Sequence, residues 1–166
     1  SIAWLHRQAE RLGFDRRRIV VAGHSAGGHL AAMALCTDWL GLGDDLPKQP
    51  LAGGIILSPL ADLAPLALVP ALQADLHFTP ERIATLSPAR LKPNGEAPLI
   101  GAVGGRESSE FKRQLALLAD AWPDSWKATV DMPGDDHLSL CEAFANPATT
   151  LFQASLSLLR STKAPE

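Results

Sequence analysis

Val20-Val21-Ala22-Gly23-His24-Ser25-Ala26-Gly27-Gly28-His29 is the stretch that decides how this chain folds. Upstream, Arg18-Ile19-Val20-Val21-Ala22 is the apolar, β-branched run expected of a strand buried on both faces. Downstream, residues 29–35 are rich in Ala and Leu, which favour helix. Between them sits a Gly-x-Ser-x-Gly turn. A serine hydroxyl is a weak nucleophile unless it is held exposed, beside a base, with backbone donors ready for the oxyanion. A sharp strand-to-helix turn meets those needs by projecting Ser25 beyond the sheet. Gly23 and Gly27 are expected to remove Cβ atoms that would collide across the turn, and the Ala26 amide is the expected oxyanion donor. A glycine-rich structural turn is the bland alternative, and both flanks argue against it.

Composition narrows the setting. The chain has 166 residues, enough for a single domain over 1–166 with a real core. It is 46% hydrophobic and 20% charged, which is globular rather than disordered. A net charge of −3 leaves no basic footprint, so nucleic acid is not the expected partner. Cys36 and Cys141 both fall in apolar, helical-looking segments and are expected to be buried free thiols in a reducing, cytoplasmic compartment. The greasiest stretch, residues 51–72, holds Asp62, Pro59, Pro65 and Pro70, which suits a strand and a broken loop better than a membrane helix. Residues 1–7 carry no signal-peptide pattern.

Along the chain, Trp4, Leu5, Ala9 and Leu12 space like one face of a helix ended by Gly13. Strands are expected at 18–22, 53–58, 98–103 and 126–132, the last nearer an edge because it alternates more. Helices are expected at 27–39, 108–121, 138–144 and 147–160, and residues 59–97 read as an irregular, cap-like insertion. Buried strands alternating with helices predict an α/β fold, a parallel sheet flanked by helices.

Such sheets place chemistry in the loops beyond the carboxyl ends of their strands. Three of those loops carry Ser25, Glu107 and His137, in the order nucleophile, acid, base. His137 would take the Ser25 proton, and Glu107 would accept from the far imidazole nitrogen. His6 is expected to be solvated, His24 and His29 to pack or bind nearby backbone, and His77 to line a pocket or sit at the surface. Asp62 is the rival acid, with a turn-capping role as its bland reading. Asp135 and Asp136 are expected to shape the His137 loop. No metal-ligand spacing and no phosphate loop occurs, so neither metal nor cofactor is expected.

The elbow 23–32 resembles that of hormone-sensitive-lipase-like and arylformamidase-like α/β-hydrolases. Glu107-Ser108-Ser109-Glu110-Phe111-Lys112-Arg113-Gln114 resembles more narrowly the segment of kynurenine formamidases that carries the triad acid, with Glu where the animal enzymes have Asp. Asp136-His137-Leu138 resembles the segment around that family's catalytic histidine, and Leu57-Ser58-Pro59 and Leu86-Ser87-Pro88 its second-strand and cap segments. The resemblance implies a partial α/β-hydrolase fold lacking the amino-terminal strands and their His-Gly-Gly oxyanion loop. That would uncover one edge of the 18–22 strand and invite self-association or pairing with an amino-terminal segment. The function implied is a serine hydrolase cleaving a small ester or aryl-formamide through an acyl-enzyme. The rivals are a broad carboxylesterase and a catalytically impaired fragment acting as a non-catalytic or partner-requiring module. A small acyl substrate is the expected partner, with no membrane.

Overall fold

The computed structural model describes residues 1–162. Its centre is a sheet of four parallel strands in chain order: β1 (Val20–His24), β2 (Gly53–Leu57), β3 (Leu99–Gly104) and β4 (Trp126–Met132). Parallel neighbours need crossovers. Helix α2 (Ala26–Cys36) joins β1 to β2, and α5 (Ser109–Ala121) joins β3 to β4.

The sheet is covered on both sides, as the alternation of side chains along β2 shows. Ile56 joins Ala31, Ala32 and Leu35 of α2 and Leu118 and Trp122 of the α5 end in one cluster. Ile55 and Leu57 face the other way, onto Leu140 of α6 (Ser139–Ala145) and Leu151 and Leu158 of α7 (Thr150–Ser161). Burying each such side chain stabilises the fold by about 1.5–3 kcal/mol. Every residue of β2 is buried, as the sequence predicts for a central strand.

β4 lies at an edge, as its alternation predicts. β1 departs from expectation. It begins at Val20 rather than Arg18 and is half-buried with Ala22 exposed, although its pairing with β2 alone among the described residues leaves the uncovered edge that the resemblance implies. Arg16–Arg18 instead form a 3-10 turn whose capping residue, Asp15, accepts from Arg17 N, and this turn takes Arg18 out of the strand.

Helix α1 (Ile2–Leu12) ends at Gly13 in the left-handed conformation, as predicted, but is rotated from the expected face. It buries His6 and Ala9 and leaves Trp4 and Leu12 exposed, so His6 is not solvated. The 59–97 segment is more regular than its composition suggests. It contains α3 (Pro70–Leu76) and α4 (Pro80–Leu86), each opened by a proline at its first position, where the missing N–H costs nothing. Cys36 is half-buried, its thiol pushed up to about 12 by burial, whereas Cys141 is exposed rather than buried. No helix among the described residues is long and apolar enough to cross a membrane.

Candidate active site

The elbow forms where β1 runs into α2. Ser25 has φ 57 and ψ −118, a conformation that costs a non-glycine residue about 1–3 kcal/mol. It is held by its own N–H, which donates to Leu57 O at 3.0 Å, and by its carbonyl, which accepts from His29 N at 3.1 Å. Two glycines make room. A Cβ on Gly23 would run into the Gly27 carbonyl, and one on Gly28 would lie 2.8 Å from Leu57 O. Gly27 is not the second of them: among the described residues nothing lies within 4 Å of a Cβ placed there. Ala26 opens α2, where a backbone N–H has no intrahelical acceptor and the helix dipole is positive.

Glu107 stands in the turn after β3 with its side chain 1% exposed. A carboxylate buried so deeply needs partners on both oxygens. Oε2 accepts from His137 Nδ1 at 2.7 Å. Oε1 accepts from the Ser58 hydroxyl at 2.6 Å and from Gly104 N at 2.8 Å. Ser58 is fully buried and holds φ 42, a second strained position at the carboxyl end of a strand.

His137 lies in the loop between β4 and α6. Asp136 Oδ1 accepts from the amides of Leu138 and Ser139, which also keeps the Asp136 carboxyl below its ordinary range. The Ser139 hydroxyl accepts from Asp136 N and donates to Asp135, so both aspartates shape the loop as expected. The His137 ring lies 4.3 Å from the His24 ring and 4.4 Å from the Phe111 ring, centroid to centroid. His24 directly precedes Ser25, so this contact seats the imidazole beside the elbow.

Asp62 is occupied elsewhere: it accepts from Ala64 N and pairs with Arg90 and Arg113. His29 donates to Leu86 O at 2.8 Å, tying α2 to α4, and His77 ends α3 in the left-handed conformation, exposed. Two residues of structural consequence lie outside the expected site, Ser58 and Gln114. Gln114 is fully buried in α5; its Oε1 accepts from Ala61 N and Asp62 N at 2.7 Å, and its amide donates to Asp62 O. A polar residue on the inward face of a helix, three positions after Phe111, was the available signal.

A cavity of about 290 Å³, lined by Ser25, Leu60, Leu66, Leu72, Phe111 and Gln114, opens beside the elbow. A second, also about 290 Å³, adjoins it across Leu60 and Leu66 and reaches Ala26, His29 and Phe78. Hollows of about 450 and 620 Å³ lie around Trp122 and His6, away from these groups, so size alone does not select the site. Among the described residues no group of three or more His, Cys, Asp or Glu is placed to hold a metal ion.

A family model described as BD-FAE matches residues 1–42. A kynurenine formamidase of Salmo salar is 30% identical over 150 residues, which are 85% of this chain and 49% of that protein. The chain thus spans about half the length of the curated relative it matches. Among solved structures, a thioesterase candidate from Silicibacter sp. TM1040 superposes with TM-score 0.72 and 25% identity over 96% of this chain and 59% of that one. Thermogutta terrifontis esterase 2 superposes with TM-score 0.65 and 23% identity over 99% and 63%. The sheet order, the strained elbow and these likenesses lead to one conclusion: the chain has the α/β-hydrolase fold over about 60% of the neighbours' length and is similar to kynurenine formamidases.

Proposed function

We propose that Ser25, His137 and Glu107 are the nucleophile, base and acid of a serine hydrolase that cleaves a small ester or aryl-formamide. The observation that carries this is the Glu107–His137 hydrogen bond of 2.7 Å on a histidine whose ring rests against the residue preceding Ser25. A carboxylate only accepts, so Nδ1 carries the proton and Nε2 is left as the base. Nε2 takes the Ser25 proton as Oγ bonds to the substrate carbonyl carbon, whose oxygen becomes an oxyanion facing the Ala26 N–H. The tetrahedral species collapses, breaking the bond to the alcohol or amine, which leaves with the proton from Nε2. Water then repeats the sequence on the acyl-enzyme and frees Ser25. The apolar lining beside Ser25 suits an apolar acyl or leaving group.

The salmon relative is a kynurenine formamidase and the Thermogutta protein an esterase, so both bond types belong in the assay. N-formylkynurenine and p-nitrophenyl acetate hydrolysis are measured for the chain and for Ser25→Ala, with intact mass after a fluorophosphonate. Hydrolysis that vanishes in Ser25→Ala, with one adduct per chain, is expected. Equal rates in the two proteins refute the proposal. A second reading, a module that needs a partner or has lost catalysis, is favoured by the half-buried β1 edge and by the single oxyanion donor identified. It predicts no adduct and self-association.

A further inference from the structure

The Phe111, His137 and His24 rings form a contiguous set, and only His137 has a part in the proposed reaction. His24 is an odd choice for its place. Its Nε2 is buried with no hydrogen-bond partner among the described residues, an unfavourable condition for an imidazole that a phenyl ring would avoid. We propose that His24 is a positioning residue, which fixes the His137 imidazole relative to Ser25 through ring contact and must stay neutral to do so. The proposal rests on the Ser25–His137–Glu107 reading.

The geometric reasoning is direct. Glu107 holds His137 at one atom, Nδ1, about which the ring can still swing. Contacts from Phe111 on α5 and from His24 remove that freedom. Because His24 and Ser25 are adjacent in the chain, base and nucleophile are then referenced to the same piece of backbone. Neutrality follows from the reaction, since His137 becomes an imidazolium when it takes the Ser25 proton and a charged His24 would repel it at 4.3 Å. Two titratable groups face His24, namely His137 from the β4–α6 loop and Glu107 from the turn after β3. Burial first and the His137 charge second hold His24 below the ordinary histidine range, while Glu107 acts in the opposite sense.

The test uses the whole chain as wild type, His24→Phe and His24→Gln. One readout is the rate of fluorophosphonate labelling of Ser25 against pH. The other is the NMR contact between the His24 and His137 ring protons, with the line width of the His137 ring signals, which needs no activity. His24→Gln should label about ten- to a hundredfold more slowly, the loss expected when a catalytic group drifts by up to about 1 Å. His24→Phe, which keeps a flat ring without a charge, should restore most of that rate. In wild type a through-space contact should join the ring protons of the two imidazoles, and the His137 ring should give one sharp set of signals that broadens in His24→Gln and stays sharp in His24→Phe. Wild-type labelling by His24→Gln overturns the proposal, and so does labelling by His24→Phe as slow as that of His24→Gln. If wild type takes up no probe at all, the catalytic reading fails. The NMR measurement then decides alone, and His137 ring signals equally sharp in wild type and His24→Gln overturn the proposal.

Discussion

Replacing Ser58 by Ala removes the hydroxyl that donates to Glu107 Oε1 across 2.6 Å, in a place where Ser58 is fully buried and Glu107 nearly so. A hydrogen bond to a charged group contributes about 1.5–3 kcal/mol, and water does not readily take the hydroxyl's place in a packed site. Among the described residues only Gly104 N, at 2.8 Å, then remains on that oxygen. At about 2–4 °C per kcal/mol for a chain of this size, the melting temperature should fall by about 3–12 °C. Backbone strain is separable from the hydroxyl. At φ 42, a Cβ costs about 1–2 kcal/mol that glycine avoids, against about 0.5–1 kcal/mol of extra unfolded-state entropy. Ser58→Gly should therefore be no less stable than Ser58→Ala, although both lack the hydroxyl. Thermal unfolding is measured beside fluorophosphonate labelling of Ser25. Labelling should slow equally in both variants, because it follows the orientation of Glu107 and not the strain. A Ser58→Ala protein that melts and labels as wild type does would refute the claim that this buried bond holds the acid.

Glu107→Gln keeps the shape but offers an amide where His137 needs a carboxylate, and turnover should drop by about 10⁴-fold, the scale seen when a triad histidine is left in the wrong tautomer; steady-state hydrolysis of p-nitrophenyl acetate checks it. His6 is held below the ordinary histidine range by burial and then by Arg16, and His24 by burial and then by His137. Unfolded chain therefore binds these protons first as pH falls. The associated stability is present above about pH 6.5 and is lost as pH drops below it, which melting curves at about pH 7.5 and 5.5 should show. His6→Gln should shrink that difference, and an unchanged difference would contradict the assignment. Gly27→Ala should be neutral or stabilising by up to about 1 kcal/mol, since the position is helical and open. Gly28→Ala, whose Cβ would press on the Leu57 carbonyl at 2.8 Å and on Pro59 Cα at 3.2 Å, should be clearly destabilised by chemical denaturation.

What the sequence made legible is local. A run of β-branched residues, a glycine-framed serine and a histidine between a strand and a helix each announce themselves within a few positions. The chain order of Ser25, Glu107 and His137 then orders the loops without any long-range information. The misreadings came from contacts made at a distance. The inward face of α1 is set by what closes over His6, so apolar spacing pointed to Trp4 and Leu12 instead. Half-burial of β1 follows from its place at the margin of the sheet. Pro70 and Pro80 read as breakers because a helix start and a helix stop share the residue, and only the following turn tells them apart. Ser58 and Gln114 escaped notice because their partners are 49 and 53 residues away, beyond any periodic pattern.

Two consecutive residues at the end of β2 hold both Ser25 and Glu107. The Leu57 carbonyl accepts from the Ser25 amide, and the next side chain, Ser58, donates to Glu107. Ser25 and Glu107, carried by loops after two different strands, are therefore both referenced to the end of a third, central one. Helix α4 attaches elsewhere, through the Ser87 hydroxyl to Leu63 N and through Leu86 O to His29. Segments between Ala64 and Thr85 could then be exchanged for others to reshape the cavity walls, leaving Ser25 and Glu107 in register as a reusable cartridge.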